Sequence, residues 1–240
     1  MQEQRPVGPI VEGWQVPPLP DGVALQGRYA QLERLDADGH AARLYTAFDG
    51  HDWVWDYLPV GPFASSEQFH RWMCEATARD DMLFYAITDL ASGDPGGFAS
   101  FLRMKPASGS IEVGFIAIAP QLQRSRAATE AMFLMMQWAF EAGYRRYEWK
   151  CDALNRPSRR AAQRLGLSYE GIFRQATVVK GRNRDTAWFA AIDKDWPALR
   201  EAYHVWLAPS NFDADGRQKE SLSDLTALVR VSADPALDWG

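Results

Sequence analysis

The stretch that could do chemistry runs Ile111-Glu-Val-Gly-Phe-Ile-Ala-Ile-Ala-Pro120-Gln-Leu-Gln-Arg-Ser-Arg126-Ala-Ala. Glu112 is a lone carboxylate in an apolar run. Burial there would raise its pKa and suit it to take a proton from a reacting group. The other reading is an exposed strand glutamate, since glutamates mostly face water. Farther on, Arg124 and Arg126 flank Ser125, and the small residues Ala127 and Ala128 open a helical pattern. The first turn of a helix offers unpaired N–H groups and the positive end of its dipole, which together bind phosphate. Small side chains let a ligand reach that backbone, and arginines pair with phosphate oxygens. Without a ligand, the same segment is a solvated basic loop before an ordinary helix.

A second candidate is Trp53-Val-Trp-Asp-Tyr57. Its rings could stack on a substrate, and Asp52 or Asp56 could hold an ammonium group. At least two of Trp53, Trp55 and Tyr57 are expected simply to pin a helical layer to a sheet. Lys180, Arg182 and Arg184 cluster at a turn that would either meet an acidic acceptor or lie solvated. The two cysteines, Cys74 and Cys151, are too few for a disulfide framework. No histidine is near in sequence to activate Cys151, so it reads as a buried structural thiol. His40, His51, His70 and His204 lack ligand spacing, so no metal is expected.

These residues need elements to position them. The chain has 240 residues, 47% hydrophobic, enough to bury a core. Lys and Arg number 26 against 31 Asp and Glu, a net charge of -5, which argues against a generic nucleic-acid binder. No apolar run approaches the roughly 18 residues that span a bilayer, so no membrane association is expected. Met1 to Pro9 lacks the apolar stretch of a signal peptide, and a cytoplasmic location follows as an expectation. Residues 1–24 read as an arm, rich in Pro and Gly, with Trp14 pinning it to a surface.

The folded part is expected over 25–207. Gly27 to Leu35 alternates as a strand. Asp36 is placed to cap a helix reaching Phe48, and Ser65 with Gln68 has capping-box spacing before a second helix. Three strands follow as an antiparallel meander at Leu83–Thr88, Gly97–Met104 and Ser110–Ala119. A helix then runs to Gly143, with Ala128, Ala131, Met132, Met135, Trp138 and Ala139 on one face. Arg146–Ala153 reads as a buried strand, Asn155–Leu165 as a short helix, and Tyr169–Val179 with Asp185–Ile192 as a hairpin. A helix over Trp196–Trp206 leads to a polar tail, 208–240, expected either to be partly disordered or to cross to a second copy in a homodimer. The fold class is α+β with a mixed sheet.

The segment Gln123-Arg-Ser-Arg126-Ala-Ala128 resembles the acetyl-CoA pyrophosphate loop of the GNAT superfamily of N-acetyltransferases, whose pattern is Gln/Arg-x-x-Gly-x-Gly/Ala. Gln123 and Ala128 match, while Arg126 stands where the family usually has glycine. A second motif follows: Trp149-Lys-Cys-Asp-Ala-Leu-Asn155-Arg-Pro-Ser158, then Ala161-Ala-Gln-Arg-Leu-Gly166-Leu-Ser-Tyr-Glu-Gly171. Its form is similar to the RimJ/RimL-like branch, which includes protein N-terminal acetyltransferases. The resemblance covers Leu25 to Trp196, with both motifs in order and on the right elements.

The resemblance implies a splayed sheet flanked by helices on both faces. Acetyl-CoA would be the co-substrate, with its pantetheine arm in the gap between the strands at Ile111–Ala119 and Arg146–Ala153. It would pair with backbone at Phe115, Ile116 and Ile118, and its diphosphate would meet Gln123, Arg124, Ser125, Arg126, Ala127, Ala128 and Thr129. Asn155 would touch the pantetheine arm, and Ser158 would donate to the departing thiolate. Helix capping is a second reading of both. Glu112 would be the general base. The acceptor would be a small-molecule amine or a protein N-terminus, with Trp53, Trp55, Asp56 and Tyr57 on one wall of its pocket. Many members carry a tyrosine acid where this chain has Ala162. That departure and Arg126 favour an alternative, a non-catalytic module that binds acyl-CoA.

Overall fold

The computed structural model describes residues 5–237; residues 1–4 of the expected arm and 238–240 of the expected tail lie outside the described residues. Alternation along the strands buries both faces of one sheet. In β3 (Met82–Asp89), Phe84 and Ala86 point to one apolar cluster, Tyr85 and Ile87 to another. The first cluster lies under α1 (Ala37–Phe48) and α2 (Ser66–Thr77). The second lies under α3 (Arg126–Glu141) and α5 (Trp196–Leu207). The remaining strands are β1 (Leu25–Gln26), β2 (Ala30–Arg34), β4 (Asp94–Lys105), β5 (Ser110–Ile118), β6 (Arg146–Asp152), β7 (Ser168–Val179) and β8 (Arg182–Ile192). Two short helices complete the set, α4 (Arg156–Arg164) and α6 (Leu222–Ala227). Among the described residues no helix is long and apolar enough to cross a membrane.

The sheet has eight strands in the order β1-β2-β3-β4-β5-β6-β8-β7. Every neighbouring pair is antiparallel except β5 with β6, which is parallel. That parallel pairing runs only from Ser110↔Arg146 to Val113↔Trp149. Beyond it, β5 continues to Ile118 against β4, and β6 continues to Asp152 against β8. Phe115 sits where they part, at φ +51, and the β4–β5 register shifts between Phe98 and Ser100. A bulge of this kind kinks a strand and sharpens its twist. A non-glycine residue held at positive φ stores strain that its surroundings must impose. Here the Phe115 ring is stacked on Trp72 and packed edge-on to Phe84.

Local capping follows the sequence closely. Asp36, Ser65, Ser125 and Asn155 accept from the N–H groups of Gly39, Gln68, Ala128 and Ser158 at 2.6, 3.3, 2.9 and 3.1 Å. The expected capping box is altered, because the Gln68 side chain accepts from Ala64 N–H, not from Ser65. The expected strand Gly27–Leu35 is shortened to β2, and a turn at 27–29 separates it from β1, which was not expected. The cause is Glu130 of α3, whose carboxylate accepts from the N–H groups of Arg28, Tyr29 and Ala30 and so holds the intervening turn. The expected turn Gly93–Gly97 is shorter, and β4 begins at Asp94. The missing N–H of Pro95 falls beside a register shift between Ile87 and Thr88, where a ladder bond is already lost. Trp14 does pin the arm, with its ring against Gly109 and under Arg145.

The tail departs most from expectation. Its described residues fold back onto their own chain instead of remaining loose or leaving for a second copy. Leu222 and Thr226 of α6 are fully buried against α4 and α5. Farther on, Asp234 is 0% exposed and takes two bonds of 2.6 Å from Arg159 of α4. Polar composition suggested solvent, but a buried acid with a two-pronged cationic partner is a docking device. Removing one partner strands a buried charge, at a cost of about 3 kcal/mol or more. We expect Asp234→Ala to lower the urea midpoint by that equivalent, with partial recovery in Arg159→Met/Asp234→Leu; a loss within roughly 1 kcal/mol, as for a surface pair, would contradict this.

Candidate active site

The split between β5 and β6 brings the two sequence motifs together from opposite sides. Ile111 and Val113 face the α3 core, so Glu112 between them projects to the α1–α2 face. It sits at the apex of the split and is only 2% exposed, so the exposed-glutamate reading does not hold. Its Oε1 accepts from Arg103 at 2.5 Å. Its Oε2 lies 2.7 Å from the Lys150 ammonium, an ion pair without hydrogen-bond alignment. Burial raises the Glu112 pKa, against the opposing pull of Lys150 and Arg103.

On the other face stand the openings of α3 and α4. Ser125 caps α3 through Ala128 N–H. Ala127 is buried and Arg124 is held at φ +59 in the loop before it. Gln123 donates its side-chain amide to the Ile118 carbonyl at 2.9 Å and so ties the loop to the end of β5. The Arg126 guanidinium lies 4.9 Å from the Tyr29 ring centre and 4.7 Å from that of Phe212. The residue standing in for glycine is thereby parked on two aromatic faces. Thr129 is buried, and its hydroxyl donates to the Ser125 carbonyl while accepting from Arg164. At α4, the Asn155 carbonyl oxygen caps Ser158, and the Ser158 hydroxyl accepts from Trp149 Nε1 at 3.0 Å. Ile116 and Ile118 rest partly buried against the α3 core, along the edge of β5 that β6 has left.

The proposed wall is divided. Trp55 is 3% exposed among Phe48, Phe63, Phe69 and Phe98, so its ring packs in the core and not out on the wall with its neighbours. Trp53 and Tyr57 are 53% and 38% exposed, so one ring of the three is buried as a pin, where at least two were expected. Tyr57 Oη donates to the Leu154 carbonyl at 3.4 Å, which sets this segment against the junction of β6 and α4. Lys180 donates to the Trp55 carbonyl at 2.8 Å, and burial lowers its pKa. That lysine is therefore spent on joining the hairpin to the wall. Asp56 is exposed near it. Ala162, at the position of the family tyrosine, is fully buried.

The sequence profile of the acetyltransferase (GNAT) domain family matches residues 31–168, more than half of the chain. This protein belongs to the GNAT acetyltransferase family. A GCN5-related N-acetyltransferase from Brucella melitensis is 46% identical over 90% of this chain and 100% of its own, with a TM-score of 0.88. A probable GNAT acetyltransferase from Chromobacterium violaceum is 41% identical over 82% of this chain and 99% of its own, with a TM-score of 0.77. An acetyltransferase from Salmonella typhimurium that modifies the N-terminal serine of a 50S ribosomal subunit protein shares the fold at 20% identity and a TM-score of 0.59, over 69% of this chain and 96% of its own. No curated protein is a match. The family's acetyl-CoA fits the residues present: an open helix start at Arg126 and Ala127 for a diphosphate, and an unpaired strand edge for the amides of the arm.

Four residues beside the site escaped the sequence reading. Glu148 and Lys150 were hidden in a strand read as buried, although Arg146, Glu148 and Lys150 alternate with Tyr147, Trp149 and Cys151 and that period was the available signal. Glu130 gave no local signal, because its partners lie about a hundred residues away, at separations of 100 to 102. Trp188 packs over Lys150 from β8. Among the described residues, no group of three or more His, Cys, Asp or Glu side chains is gathered for a metal. Cys151 is buried and its thiol is pushed up to about 11 by burial, beside Ser158. We expect a disulfide reagent at pH 8 to modify the exposed Cys74 at once and Cys151 only on unfolding. Two fast thiols would return Cys151 to consideration as a nucleophile.

Proposed function

We propose that this protein moves acetyl from acetyl-CoA to a primary amine by direct attack within a ternary complex, with no covalent enzyme intermediate. The observation that carries the reading is a buried, cation-held carboxylate, Glu112, at the apex of a split in the sheet. Acetyl-CoA brings the activated acyl carbon and a thiol leaving group. The helix start at Ser125–Ala128 and Arg124 serve its diphosphate, the free edge of β5 from Phe115 to Ile118 serves the arm, and Asn155 and Ser158 border the arm from α4.

The amine enters from the α1–α2 face, where Trp53, Asp56 and Tyr57 form one side. Glu112 takes its proton, directly or through one water. Ser158 is suited to act as donor at the leaving sulfur. Its oxygen accepts from Trp149, and its O–H, now beside the Cys151 sulfur, would turn to the departing thiolate. The parking of Arg126 on Tyr29 and Phe212 removes one of the two grounds for a non-catalytic module. Within amines, the fold shared with a ribosomal-protein acetyltransferase supports an α-amine. Such an amine, with a pKa near 8, is partly neutral at physiological pH and asks less of a base than a lysine near 10.4.

The test is thiol release from acetyl-CoA with a panel of small amines and N-terminal peptides. We expect release with at least one class, and Glu112→Gln to lower kcat about a hundredfold or more while CoA affinity stays near that of the parent. The raised pKa of Glu112 sets the pH dependence: kcat/KM falls as the pH drops through that pKa, because the protonated carboxyl accepts nothing. Tight CoA binding with no release across the panel would favour the binding module. Equal turnover by Glu112→Gln would remove Glu112 from the reaction.

A further inference from the structure

Glu112 and Glu148 stand directly opposite each other in the parallel β5–β6 register. Like charges in that relation repel. The Lys150 ammonium resolves the conflict, lying 2.7 Å from Glu112 Oε2 and 2.7 Å from Glu148 Oε2. It also sits 3.8 Å from the centre of the Trp188 ring, and its side chain is 9% exposed. Lys150 is the first β6 residue beyond the last β5–β6 pair, so its charge is delivered at the point where the strands separate.

We propose that Lys150 is a positioning residue for acetyl transfer: its ammonium, wedged between two carboxylates and capped by an indole, holds Glu112 ionised and aimed at the split. This rests on the reading of Glu112 as the proton acceptor. The charged groups that face Glu112 are Lys150 and Glu148 from β6 and Arg103 from β4. Arg103 is 57% exposed, so water screens its charge and its hold is the weaker one. Glu148 competes for the same ammonium but is also bound by Arg146 at 2.7 Å, and Arg146 is anchored in turn on Glu170. With Glu148 partly satisfied elsewhere, more of the Lys150 charge acts on Glu112. Burial alone would push Glu112 toward its protonated form, in which it cannot accept a proton. Lys150 is the buried charge that opposes this.

A purely structural lysine would affect stability without moving a titration. The experiment follows the side-chain carboxyl resonance of Glu112 against pH in protein labelled with carbon-13 glutamate, assigned by its loss in Glu112→Gln, and measures kcat/KM profiles in parallel. Lys150→Met is expected to raise the Glu112 midpoint by about one unit or more, and to move the acid limb of kcat/KM upward with it. Lys150→Arg should restore most of the shift. Glu148→Gln should move both downward, because a competing negative charge is gone. If Lys150→Met leaves midpoint and acid limb in place, the proposal is overturned even where activity falls. Should Lys150→Met not fold, Glu148→Gln decides alone, and a midpoint that stays put or rises overturns the proposal. If the parent enzyme turns over no amine, the acetyl-transfer reading fails, while the carboxyl titration still reports whether Lys150 sets the charge on Glu112.

Discussion

The parallel pairing of β5 with β6 stops after Val113 and Trp149, and the rest of the site is arranged around that stop. A sheet that parts in its interior exposes ladder groups on both lips, and such groups need partners. The bulge at Phe115 makes the parting an imposed feature, since its φ of +51 is tolerated only because the ring is locked between Trp72 and Phe84. The α1–α2 core thus does more than cover one face. It holds the strand in the conformation that opens the gap.

Both helices that begin beside the gap are fixed from a distance. The carboxylate of Glu130 gathers the N–H groups of Arg28, Tyr29 and Ala30 and binds the first turns of α3 to the start of the sheet. The Arg159–Asp234 pair binds the first turn of α4 to the C-terminal tail, and Arg159 also donates to the Ala153 carbonyl at 2.6 Å. Interior charges of this kind add little net stability but hold a fixed geometry, and here they lie beside the groups that must not drift. The tail is therefore part of the frame around the site.

Much of this was legible in the sequence because it is local. Asp36, Ser65 and Asn155 announce helix starts by residue type and spacing alone, and each does cap its helix. The order of strands and helices, and the position of Glu112 in an apolar strand, follow from periodicity. What was not legible is long-range. Trp55 looked like its neighbours Trp53 and Tyr57, and only the packing of Phe48, Phe69 and Phe98 around it separates core from wall. Lys150 and Glu148 acquire meaning only once β5 lies beside β6. Polar composition misread the tail, because its anchors, Leu222, Thr226 and Asp234, are single residues whose partners lie elsewhere in the chain.

The most direct test of the account is amide hydrogen exchange at residues 114–118 and 126–128, with and without coenzyme A. If the gap and the helix start beside it are where the nucleotide's amides and diphosphate bind, exchange slows in both segments on addition while β3 is unchanged. Unaltered rates in both segments at a saturating concentration would contradict it.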